Sequence, residues 1–185
     1  MLKRILLSLT ILFTSTISVL SQQDFFTEKA DNWIIVGRPS VDNKNAFCGA
    51  ELSFRDGSAF TLYKDLIDGE VYIVLSNTRW NIGDPPQSRS KLRLNFVSRG
   101  GDVKGGTIDY LLLNKNTIVI PGINSGAFIP DFMARHKLEI IMPGTIENAT
   151  IPLDGTTRAV ELLAKCVDVA GTQAPPKSGG KKIDL

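Results

Sequence analysis

The chain is poor in the residues that most enzyme centres are built from. It holds one histidine, His136, and two cysteines, Cys48 and Cys166, in 185 residues. Any serine or cysteine triad that uses histidine must run through His136, and no Gly-x-Ser-x-Gly turn surrounds a serine. A structural zinc site draws four ligands from Cys and His, and three such residues scattered at 48, 136 and 166 do not supply it. No catalytic residue, metal ligand or cofactor site is therefore expected.

An excess of basic charge is missing too. The precursor has 21 basic and 19 acidic residues, but Lys3 and Arg4 belong to an export signal, and Lys177, Lys181 and Lys182 to the C-terminal tail. The body, residues 22–170, then carries 16 basic and 18 acidic side chains, a formal charge of −2. The sequence pI near 8.5 is thus no argument for a nucleic-acid partner. A membrane-spanning helix needs about 20 largely apolar residues, and the N-terminal apolar run is shorter. Lys3-Arg4, the run Ile5 to Phe13, and Val19 and Ser21 at the −3 and −1 positions make a signal peptide over 1–21. Gln22 becomes the first mature residue, and no stable anchor is expected after cleavage. The expected location is the periplasm or the exterior.

What is present is a β pattern. Trp33 to Arg38 is apolar on both faces and suits a central strand. Ala46 to Phe54 alternates, placing Cys48, Ala50, Leu52 and Phe54 on one side. Val71 to Ser76 is rich in β-branched and aromatic residues, and Lys91 to Val97 alternates polar and apolar. Further strands are expected at Ala59 to Tyr63, Thr107 to Leu113, Thr117 to Ile120, Lys137 to Met142 and Thr145 to Leu153. Asp24 to Ala30 reads as a loose leader, and Gly100 to Thr107 as a flexible hairpin connection rather than a phosphate loop. A helix over Ile129 to His136 would hold Pro130 in its first turn. The fold class is mainly β, an antiparallel sandwich or partly closed barrel with two short helices, one at the C-terminal end of the domain.

That last helix organises the rest. From Asp154, its expected N-cap, Ala159, Leu162, Leu163 and Cys166 recur at helical spacing on one face. The periodicities of strand and helix both aim the thiols of Cys48 and Cys166 inward, so a bond between them is expected in an oxidising compartment. Two free thiols and a bridge between chains are the rival states. From Gly171 the composition shifts to Pro, Gly, Ser and Lys, giving a disordered basic tail over 171–185.

The order of features resembles the invasion-associated locus B family of small exported bacterial proteins. The resemblance rests on the signal peptide, Trp33-Ile34-Ile35-Val36, Cys48, a β-rich middle and the close from Leu153 to Cys166. It implies a periplasmic or surface-associated protein, with a part in host-cell invasion for some members and no established enzymatic activity, and it transfers no site residue. The function expected is a non-enzymatic β-domain that binds an unidentified protein or cell-surface macromolecule in host interaction. The alternative is a periplasmic inhibitor or immunity protein that blocks a hydrolase through residues 77–90, with Trp80, Pro85 and Pro86 as partner-binding residues. A carboxylate enzyme is the third reading; it requires Asp65, Asp68 and Glu70 to line one pocket, whereas their spacing suits a solvated turn.

Overall fold

The computed structural model describes residues 24–39, 46–65, 70–82, 90–123, 125–144 and 147–173. Residues 1–21, expected as a signal peptide, Asp68, Pro85, Pro86 and the residues beyond Gln173 lie outside these residues.

Ten strands form one antiparallel sheet in the order β1-β2-β3-β4-β5-β8-β7-β6-β9-β10, with β1 and β10 left as unjoined edges. The strands are β1 (Phe26–Ala30), β2 (Trp33–Pro39), β3 (Ala46–Ser53), β4 (Ala59–Asp65), β5 (Val71–Ser76), β6 (Ser90–Val97), β7 (Val103–Asn114), β8 (Thr117–Ile123), β9 (Lys137–Ile141) and β10 (Ala149–Pro152). Two helices, α1 (Ser125–Ala134) and α2 (Thr156–Gln173), complete the described elements. The fold is mainly β, sandwich-like and not closed.

β7 is the corner. Its residues 103–110 pair with β6, and from Leu111 it pairs with β8 across a register shift. One strand therefore serves a larger sheet (β1 to β5, β8 and the end of β7) and a smaller one (the start of β7, β6, β9 and β10). α1 fills the space between them. Its Phe132 meets Trp33 and Phe60 of the larger sheet at 5.5 and 6.1 Å between ring centroids, and its Phe128 meets Phe96 of the smaller sheet at 5.1 Å. These aromatic pairs add roughly 0.5–1.5 kcal/mol each beyond the area they bury.

Two indoles pin the layers. Trp33 donates its Nε1–H to the Asp154 carbonyl oxygen at 3.0 Å, and Trp80 donates to that of Glu147 at 3.1 Å. Each bond joins the larger sheet or its loop to the chain flanking β10.

Several expectations shift here. The leader is an edge strand, β1, joined to β2 by the two-residue turn Asp31-Asn32, with Asp31 at φ 53°. β7 starts at Val103 rather than Thr107, because Gly105 is needed inside the strand. A Cβ there would strike Asn95 Oδ1 and the Leu94 carbonyl oxygen on β6. α1 begins at Ser125, so Pro130 lies inside the helix and not in its first turn. α2 continues past Gly171 to Gln173.

Candidate functional site

Cys48 and Cys166 form a disulfide with their Cα atoms 6.0 Å apart. Cys48 lies on the inward face of β3, and Ala159, Leu162, Leu163, Cys166 and Ala170 make the buried stripe of α2. That stripe packs on β1, β2 and β3. The bond needs a gap in β2. Gly37 stands opposite Cys48 in the ladder, and a Cβ on it would lie 2.8 Å from Cys166 Sγ and strike the Phe25 ring.

The cap of α2 differs from the expected one. The Gly155 carbonyl oxygen accepts the first helical bond, from Ala159 N–H at 3.0 Å, which makes Gly155 the N-cap. Its φ of 82° and the approach of Asp31 Oδ2, 2.5 Å from where a Cβ would sit, leave only glycine there. Asp154 faces outward to Arg99 Nη2 at 3.4 Å and His136 Nδ1 at 3.9 Å. Together with Arg135, Thr156 and Thr157 these residues line an open cleft of about 400 Å³.

The cleft brings an imidazole beside a carboxylate, and Thr157 on its lining is exposed. The Thr156 hydroxyl is buried and lies 2.8 Å from the Phe132 and 2.7 Å from the Leu153 carbonyl oxygens. His136 sits beyond the end of α1 and is exposed, off the apolar helical face expected for it. Its backbone N–H donates to the Val97 carbonyl oxygen, and its carbonyl accepts from Leu153 N–H. Among the described residues, no three His, Cys, Asp or Glu side chains converge as a metal would require.

Trp80 is a core residue, 4 % exposed, and so does not project as a partner-binding anchor. Pro85 and Pro86 of the same segment lie outside the described residues. Of the carboxylate trio, Glu70 is exposed, Asp68 is not described, and only the backbone of Asp65 is placed, in β4.

The feature that sequence reasoning missed is the outward face of the larger sheet. Register puts Ile34, Glu51, Thr61, Val74, Val119 and Leu111 in one row across β2, β3, β4, β5, β8 and β7. Beside that row stand Val36, Gly49, Tyr63 and Tyr72, then Arg38 and Phe47. The Tyr63 ring lies over Gly49, 2.9 Å from where a Cβ would be, and meets Phe47 edge-on at 5.2 Å. On this face Val36 and Thr61 are buried. Ile34 and Leu111 are 44 % and 40 % exposed.

Its electrostatics are local. Arg38 reaches Glu51 at 2.7 Å and Asp24 at 3.0 Å. Burial pulls the guanidinium down, but hydrogen bonds and charge pairing with Glu51, then Asp24, outweigh it and raise it overall. Burial, followed by the Glu51 charge, pushes the Tyr63 phenol above its ordinary range. Aromatic and aliphatic contact area bordered by a paired Arg and Glu can take up an apolar partner surface and orient it.

Comparison with protein-family models, with curated proteins and with solved structures finds no match for this chain.

Proposed function

We propose that the protein is an exported, non-enzymatic binding domain that presents the outward face of its larger sheet to another macromolecule. One observation carries the reading. An antiparallel sheet with one solvated face is polar on that face, yet here Ile34, Phe47, Tyr63, Val74, Val119 and Leu111 stand among Arg38, Glu51 and Thr61 on it. An apolar surface with exposed aliphatic side chains such as Ile34 and Leu111 is characteristic of an interaction site. The disulfide is compatible with a periplasmic or secreted location, and no helix among the described residues is long and apolar enough to cross a membrane. A part in host interaction is what the resemblance to the invasion-associated locus B family adds. The inhibitor reading keeps its loop but loses its aromatic anchor, since Trp80 is occupied in the core.

The test is a charge placed in the middle of the face. Val74 is half-buried with its side chain outward, so Val74→Lys is expected to leave the thermal melt within a few degrees of wild type. Tagged wild type should co-purify a partner from producing or host cells that the variant does not retain. Equal recovery by both proteins would reject this face as the binding surface.

A further inference from the structure

Besides the end of β8 at residues 120–123 and short strand ends, three stretches among the described residues have a strand neighbour on one side only: the outer edges of β1 and β10, and residues 103–110 of β7. Two of them are blunted. β10 has four residues and ends in Pro152, which cannot donate to a ladder. β1 has five residues and lies against α2, with Lys165 reaching Glu28 beside it.

The third stretch is bare. β7 is the longest strand, at 12 residues, and its residues 103–107 are exposed on both faces. A Cβ on Gly106 would meet nothing within 4 Å, and Val103 is 56 % exposed. Among the described residues no backbone hydrogen bond is made on the outer side of this stretch. An unpaired strand edge presents N–H and C=O groups in the spacing that another extended chain matches.

We propose that residues 103–109 of β7 are a dimerisation edge, pairing antiparallel with the same residues of a second copy about a two-fold axis at Gly106. Symmetry selects the register. Hydrogen-bonded and non-hydrogen-bonded pairs alternate along an antiparallel ladder, so a two-fold axis must place one residue opposite itself. Centred on Gly106, the pairing sets 103 against 109, 104 against 108 and 105 against 107. It uses the free stretch up to the buried Tyr110 and stops short of Leu111, which β8 already holds. Lacking a side chain at the centre, the two backbones approach without a clash, and the two smaller sheets become one continuous sheet. Seven residues span roughly 23 Å at the rise of a strand. That places the contact at the small end of specific interfaces and makes the dimer reversible.

Sedimentation equilibrium of the purified protein is the experiment, with dimer growing as concentration rises. Gly106→Lys sets like charges against each other in open space and should weaken association at least tenfold. Mixing Gly106→Lys with Gly106→Glu should restore it. Gly106→Cys should oxidise to a cross-linked dimer, while Val103→Cys, opposite Asp109 of the second copy, should not; these two keep the question decidable should the lysine variant misfold. A wild type that is monomeric at every concentration, a lysine variant that dimerises as well as wild type, or equal cross-linking at 103 and 106 would each overturn the proposal.

Discussion

Removing the Cys48–Cys166 bond should cost this fold about 5 kcal/mol. The two cysteines are 118 residues apart in sequence, and closing a loop of that length removes about 5 kcal/mol of conformational entropy from the unfolded chain in the entropic account. The native contacts around the bond persist without it, because Cys48 and Cys166 are fully buried among the apolar neighbours of β2, β3 and α2. The perturbation is the double replacement Cys48→Ala and Cys166→Ala, which leaves no unpaired thiol. For a domain of about 150 residues, a loss of 5 kcal/mol lowers Tm by roughly 10–20 °C. Urea titration followed by tryptophan fluorescence suits the assay, since Trp33 and Trp80 both sit in the core. The midpoint should fall with little change in native-state signal. An unchanged midpoint would refute the reasoning, as would a native spectrum lost before any denaturant is added.

Other outcomes follow from single contacts. Gly155→Ala imposes a side chain at φ 82° against Asp31 and should destabilise by roughly 1–3 kcal/mol in urea; Asp31→Gly in the same chain should recover part of that. Trp80→Phe removes the donor to the Glu147 carbonyl oxygen and should cost about 1 kcal/mol, whereas Trp80→Ala should cost about 3–5 kcal/mol, both read from thermal melts. The raised Tyr63 phenol holds its proton more tightly in the folded state than in the unfolded one. Its contribution is therefore fully present below the ordinary pKa of 10.0 and is lost as pH rises through the folded value. Stability should fall above about pH 10, and Tyr63→Phe should flatten that alkaline limb in denaturant titrations at stepped pH.

Legibility in the sequence follows how strongly each residue's neighbours constrain it. Cys48 and Cys166 were readable because a period of two and a period of 3.6 each place a thiol among apolar residues that must be buried. β5 and β6 declare themselves by β-branched content and strict alternation. β1 does not, since Thr27, Glu28 and Lys29 all lie exposed between Phe26 and Ala30 and only pairing with β2 makes the segment a strand. The glycines of β7 look like a turn locally, and their cause is Asn95 and Leu94 on the neighbouring strand. Asp154 has the chemistry of an N-cap, but the hairpin carrying Asp31 moves the cap to Gly155. The outward face was legible only as a hint: Trp33 to Arg38 is apolar on both sides, which suits a central strand. β2 is second from the edge, and on its outer side Val36 is buried while Ile34 is exposed. Pattern reports which residues are apolar, whereas tertiary packing decides which of them receive a cover.

The claim that this outward face is the recognition surface is tested most directly by photo-crosslinking in producing cells and host-cell mixtures. A benzophenone side chain would be placed at Ile34, Tyr72 or Leu111 on the face, and at Lys91 of the smaller sheet as control. The account predicts a discrete higher-mass adduct from the three face positions and none from Lys91. Adducts from Lys91 alone, or from no position while tagged wild type still captures a partner, would contradict it.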